Sequence, residues 1–161
     1  VTITLAPMSA EWAASVAKWR YPPPFDVYDG EPGAATVLMD GNHVAILEHG
    51  DFVGYACVGT EALVRGGPPA EAGILDVGMG LHPDRVSAGL GARAAALVVE
   101  TLAYAGHDVL RASVLAANDR SSRLVRGLGF VEVGQFDDDA GRRFAVFVRH
   151  APVRRSGPAS R

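Results

Sequence analysis

Residues 75–92 read Leu75-Asp76-Val77-Gly78-Met79-Gly80-Leu81-His82-Pro83-Asp84-Arg85-Val86-Ser87-Ala88-Gly89-Leu90-Gly91-Ala92. An apolar run ends at a proline and a glycine-punctuated turn follows. Leu90, Ala94, Leu97, Val98, Thr101, Leu102 and Ala105 then recur at the spacing of one helical face, with Gly106 as the stop. The stretch reads as strand, turn and long helix. The first amides of a helix lack intrahelical partners, and the helix dipole adds partial positive charge there. Glycines remove the Cβ atoms that would hold a phosphate away. Ser87, Ala88, Gly89, Leu90, Gly91 and Ala92 can therefore wrap an anionic group. A Gly-x-Gly pair is equally the mark of a plain tight turn. A dinucleotide fingerprint is not supported: Ala94 stands where its third glycine belongs, and the later acidic residue is not clearly present. A Walker loop needs a lysine, and this region has none.

Working outward, residues 2–5 alternate as a first strand. Ser9 fits an N-cap for a helix carrying Trp12, Val16 and Trp19. Residues 21–33 hold four prolines, Pro22, Pro23, Pro24 and Pro32, and read as a loop bearing Tyr21, Phe25 and Tyr28. Runs 43–48 and 52–60, split by His49-Gly50-Asp51, signal a β-hairpin. Residues 65–70 are an exposed loop rich in Gly and Pro. In the strand over 73–82, Gly78 and Gly80 predict a bulge or a close backbone approach. A fifth strand spans 109–115, a short capped helix follows to Leu128, and 130–136 with 142–150 close the sheet. Residues 151–161 read as a mobile tail after a single domain over 1–150. The fold class is α/β of the mixed α+β kind, one mixed sheet with helices on its faces.

With 161 residues, 48% hydrophobic and 20% charged, the chain can bury a core. A net charge of −3 gives no basic footprint for nucleic acid. The lone Cys57 makes no internal disulfide and sits in an apolar run, as a small buried thiol does. No run of 18 apolar residues and no signal-peptide pattern is visible, so a cytoplasmic protein without membrane attachment is expected. Lys18 is the only lysine among 15 basic residues, a bias that suggests a GC-rich bacterial genome.

The run from Asp76 to Phe136 resembles the core of the GNAT superfamily of acetyltransferases. It is similar to the branch whose fourth strand ends in Leu81-His82-Pro83 before a phosphate loop of the form Arg/Gln-x-x-Gly-x-Gly/Ala. Asn118, Ser121 and Gly129-Phe130 match the family's Asn-x-x-Ala…Gly-Phe segment, and the two motifs stand at the expected separation. Trp19, Tyr21 and Tyr28 resemble the aromatic entry segment of some relatives. The resemblance implies a mostly antiparallel sheet of six to seven strands flanked by about four helices. It also implies acetyl transfer from acetyl-CoA to an amine acceptor in a ternary complex, with no metal. The coenzyme would be held by the phosphate loop, by Met79, Gly80 and Leu81 on a strand that splays from the fifth, and by Asn118 and Ser121. Asn118 has the alternative role of helix cap.

Two positions depart from the family pattern. Val86 stands where the loop's Arg/Gln belongs, with Arg85 one place early as an auxiliary cation. Val125 replaces the tyrosine that protonates the leaving thiolate in many relatives, and Tyr28 or Ser121 could stand in. An amine of pKa near about 10.4 needs a base at neutral pH, whereas an α-amino group near about 8 needs less help. Asp76 is the first candidate for that base, seven residues before Pro83 where relatives carry a Glu; Glu71 and His82 follow. The bland reading of Asp76 is an exposed strand-end carboxylate. A rival function is a coenzyme A-binding module without catalysis, and a third is a non-coenzyme interaction domain. Exposed strand edges are compatible with a homodimer.

Overall fold

Alternating β-branched residues at the start of the chain form β1 (Ile3–Pro7), which pairs with β2 (His43–Glu48). A two-residue loop turns β2 into β3 (Asp51–Val58), with His49 at φ 52° and Gly50 at φ 91°. Positive φ at both residues suits the right-handed twist of a tight hairpin. The structure is a computed structural model describing residues 2–86 and 89–152; Val1, Ser87, Ala88 and residues 153–161 lie outside it. β4 (Leu75–Leu81), β5 (Val109–Leu115), β6 (Val131–Asp137) and β7 (Arg143–His150) complete one sheet, ordered β1-β2-β3-β4-β5-β7-β6. Every neighbouring pair is antiparallel except β4 and β5.

Four α-helices accompany the sheet: α1 (Ala10–Val16), α2 (Ala34–Leu38), α3 (Leu90–Tyr104) and α4 (Asp119–Gly127). Ser9 caps α1 by accepting from the Trp12 N–H at 3.2 Å. Leu90, Ala94 and Val98 of α3 bury against Ile46, Val53 and Ala56, while α1 and α2 pack on Phe52 and Tyr55. Tyr55 and Ala56 project from opposite faces of one strand, so α3 lies on one face and α1 with α2 on the other. Val125 of α4 and Leu128 just after it join α3 over Leu110, Ala112 and Val114. No helix among the described residues is long and apolar enough to cross a membrane.

One expectation changes and two are narrowed. Residues 34–42 carry no readable period, yet α2 forms there, because five residues after Gly33 are too few to show one. The bulge expected at Gly78 or Gly80 is absent, since β3 and β4 pair without a break from Val58↔Val77 to Gly54↔Leu81. The breaks fall instead at Ile46/Leu47 and Glu132/Gly134. The loop over 65–70 is largely exposed as expected, and its two glycines also touch the body of the fold. A Cβ on Gly67 would meet the Phe136 ring at 2.6 Å, and one on Gly66 the Asp137 carbonyl at 2.8 Å, so the loop lies on the β6–β7 turn.

Candidate active site

β4 and β5 pair only at Leu75↔Leu110 and Asp76↔Arg111, whereas β4 stays paired with β3 as far as Leu81. The two parallel strands therefore splay from Asp76 onward. In an antiparallel ladder, successive residues turn their backbone groups to alternate sides. The His82 N–H donates to the Val53 carbonyl at 2.8 Å, which turns Gly80 and Gly78 toward β3 and leaves Val77, Met79 and Leu81 facing the gap. The Leu81 carbonyl bears this out by accepting from the Tyr21 hydroxyl at 2.6 Å. Met79 and Leu81 thus present backbone to the gap as the sequence reading requires, but Gly80 spends its backbone on β3. Gly80 is glycine for another reason: a Cβ there would lie 2.8 Å from the Tyr55 ring. Gly78 likewise faces the Cys57 Sγ, 3.0 Å from where a Cβ would stand.

At the top of the gap, α3 begins at Leu90 with Gly89 as N-cap, φ 77° and no side-chain cap. The Arg93 N–H makes the first helical bond, to the Gly89 carbonyl at 3.1 Å, so the amides of Leu90, Gly91 and Ala92 have no helical partner. A Cβ on Gly89 would meet nothing within 4 Å. Gly91 differs: its Cβ would touch Leu124 and Leu81 methyls at 3.4 Å, so it lets α3, α4 and β4 close together. The Leu90 side chain is core, and only its amide can serve an anion. Arg85, expected as an auxiliary cation, is held by Glu48 at 2.8 Å, and Arg93 by the same carboxylate at 3.2 Å. The hydrogen bond from Arg85 is the main cause that holds Glu48 below its usual carboxylate range. The sequence reading passed over Arg120, whose guanidinium reaches from α4 to the Val86 carbonyl.

Asp76 is not the open carboxylate expected of a base. Its oxygens accept from Arg111 Nε at 2.7 Å and Nη2 at 2.9 Å, and it is 5% exposed. Arg111 also donates to the Pro69 carbonyl at 2.7 Å and stands 3.7 Å from Glu71, so it ties the β3–β4 loop to the vertex of the splay. Pairing with Asp76 raises the guanidinium's affinity for its proton. Glu71 is 64% exposed and faces Arg111. His82 stands edge-on to Trp19 at 5.2 Å, and its Nδ1 accepts from the Asp84 N–H at 3.2 Å. That contact engages Nδ1 with the backbone of the following turn.

Asn118 caps α4 by accepting from the Ser121 N–H at 3.1 Å, the plainer of its two expected roles. Val125 packs on the core cluster around Leu110 and Phe147. The aromatic loop is clasped at its neck. The Gly30 N–H donates to the Trp19 carbonyl at 3.0 Å, the Tyr21 N–H to Asp29 Oδ1 at 2.7 Å, and Arg20 to the Gly30 carbonyl at 3.0 Å. Tyr21 and Tyr28 meet edge to face at 6.3 Å. Partial burial raises the Tyr28 phenol, opposed by the Asn118 side chain and the Leu115 backbone. The loop thus reaches both strands of the splay, Leu81 on β4 through Tyr21, and Leu115 at the end of β5 with Asn118 through Tyr28. Both phenols stay protonated near neutral pH, because burial raises Tyr21 as well.

Cys57 is buried, donates to the Glu61 carbonyl at 3.7 Å, and has its thiol pushed up to about 12, chiefly by burial. The thiolate is the reactive form. The native protein should therefore resist iodoacetamide between pH 7 and 9 while the denatured chain is alkylated; fast native labelling would contradict this placement. No group of three or more His, Cys, Asp or Glu among the described residues could hold a metal ion.

No family model and no curated protein matches the sequence. Solved structures match the fold. Aminoglycoside acetyltransferase AAC(6')-Ib in complex with coenzyme A and kanamycin superposes with a TM-score of 0.70 at 18% identity, over 92% of this chain and 95% of that one. An N-acetyltransferase from Staphylococcus aureus gives 0.70 at 14% identity, over 93% and 99%. The yncA protein from Salmonella typhimurium, solved with its cofactor acetyl-CoA, gives 0.69 at 15%, over 99% and 100%. The seven-stranded sheet, its single parallel junction opening beside the α3 N-terminus, and these superpositions together establish that the chain has the GNAT acetyltransferase fold.

Proposed function

We propose that this protein is an acetyl-CoA-dependent N-acetyltransferase that acts on a primary amine of a small molecule or a protein N-terminus by direct attack in a ternary complex. The observation that carries the reading is the splay: Met79 and Leu81 turn their backbone away from β3 into a gap that opens beside the uncapped amides of Leu90, Gly91 and Ala92, with the Leu81 carbonyl taken by Tyr21. These groups fit the donor. The amides and Gly89 offer an unobstructed cradle for its phosphates, and the open edge of β4 offers strand-like hydrogen bonds to its amide-bearing arm. When bound, the donor supplies an activated acyl group as a thioester. A backbone N–H of Met79 or Leu81, facing the gap, would stabilise the oxyanion.

The remaining residues define how protons move. With Asp76, Glu71 and His82 all engaged or turned to solvent, the amine arrives neutral or loses its proton to water. This favours acceptors of the α-amino kind over lysine-like ones. The Tyr28 phenol, raised by burial and beside Asn118, and the Ser121 hydroxyl, one turn before Val125 on α4, are the proton sources that could serve in place of the hydroxyl Val125 lacks. A second reading, coenzyme binding without transfer, is favoured by Val125, which packs against the core cluster and carries no hydroxyl. Release of free thiol from acetyl-CoA, measured with and without a panel of amines of graded pKa, separates the two. Amine-dependent release that rises with the neutral fraction of the amine is expected. Tight binding without release across the panel would establish the second reading.

A further inference from the structure

The phosphate loop lacks its usual cation in sequence, since Val86 occupies that position, and the neighbouring arginines do not replace it. Arg85 and Arg93 are both drawn to Glu48, whose side chain is only 15% exposed. Arg120 stands differently. It is the second residue of α4 and 34 positions from Val86, yet its Nη1 donates to the Val86 carbonyl at the entry to the loop. That neutral carbonyl is its one hydrogen-bond partner among the described residues, so its charge is not offset there as those of Arg85 and Arg93 are. The approach is fixed by packing, because Leu124, one turn further along α4, closes on the position of Gly91 in the first turn of α3. The Arg120 guanidinium thus stands at Val86, and the α4 side chain Leu124 packs at the first turn of α3.

We propose that Arg120 is the cation of the donor's diphosphate subsite, supplied from α4 in place of the missing loop residue. This rests on the coenzyme reading above. A guanidinium released from a neutral carbonyl onto a phosphate oxygen exchanges a weaker acceptor for a charged one and pairs two phosphate oxygens at once. Its distance along the chain from the loop hides it from any local motif.

The test is calorimetric binding of acetyl-CoA, of its analogue without the 3′-phosphate, and of S-acetylpantetheine, to the wild type, Arg120→Ala, Arg120→Lys and Arg85→Ala. Arg120→Ala should weaken acetyl-CoA binding by roughly 10- to 150-fold, the range for hydrogen bonds to charged groups. Arg120→Lys should recover part of the loss. The analogue without the 3′-phosphate should show the same loss, and S-acetylpantetheine should bind all four proteins alike. Arg120 is exposed, so thermal unfolding of the unliganded variants should be unchanged. Equal acetyl-CoA affinity in Arg120→Ala and wild type, or a loss carried by Arg85→Ala instead, overturns the proposal. A loss that vanishes without the 3′-phosphate overturns the assignment to the diphosphate. A wild type that binds no acetyl-CoA overturns the coenzyme reading itself.

Discussion

Asp76→Asn should lower stability by roughly 3–5 kcal/mol, the cost of leaving a buried charge without its partner. The side chains of Arg111 and Asp76 are 6% and 7% exposed, and both carboxylate oxygens are committed at 2.7 and 2.9 Å. An amide keeps the shape but leaves the guanidinium uncompensated between two strands. Arg111→Met should be similarly costly, and the double variant Asp76→Leu with Arg111→Met should recover much of the loss, because it leaves no buried charge. Urea unfolding of the four proteins measures these differences. Kinetics adds a second readout. If the pair only pins the vertex of the splay, the folded fraction of Asp76→Asn keeps the wild-type pH dependence of kcat/KM. A stable Asp76→Asn whose activity is lost near neutral pH and returns as the amine deprotonates would restore Asp76 as the base.

The pairing shows where the sequence is legible and where it is not. The hairpin around His49-Gly50, the cap at Ser9, the long helix ending before Gly106 and the strand over 109–115 all rest on local rules, and all stand in the fold. Asp76 and Arg111 lie 35 positions apart, and no local rule joins them. A signal existed: Arg111 is the one charge inside the apolar run Val109-Leu110-Arg111-Ala112, and a charge in a central strand needs a buried partner. Asp76, the one charge inside the preceding strand, is that partner. Tyr55 left no comparable signal. Its ring accounts for Gly80, but a glycine within a strand announces only that something approaches, not what. The same limit concealed Arg120, whose reach to Val86 depends on how α4 settles against α3.

Gly89 and Gly91 sharpen the point, because the same residue serves different physics two positions apart. Gly89 sits at φ 77° with nothing near its missing Cβ. A β-branched residue is strained in that conformation, and its side chain would stand in the space before the free amides of α3. Gly89→Val should therefore lower acetyl-CoA affinity by about 100-fold or more. Gly91 has an ordinary φ, and its missing Cβ points toward Leu124 and Leu81 at 3.4 Å, away from those amides. Gly91→Ala should keep most of the affinity, and the bulkier Gly91→Val should cost roughly 1–3 kcal/mol of stability by overpacking. Thermal unfolding with and without acetyl-CoA reads both effects. A ligand at 100 times its dissociation constant adds about 2.7 kcal/mol to the native state, and a 100-fold weaker site at the same concentration adds only about 0.4. The unliganded melting temperature should fall in Gly91→Val, while the ligand-induced rise should nearly disappear in Gly89→Val. A full rise in Gly89→Val would remove the α3 N-terminus from the binding site, and a rise lost in Gly91→Ala at unchanged unliganded stability would return Gly91 to the anion cradle.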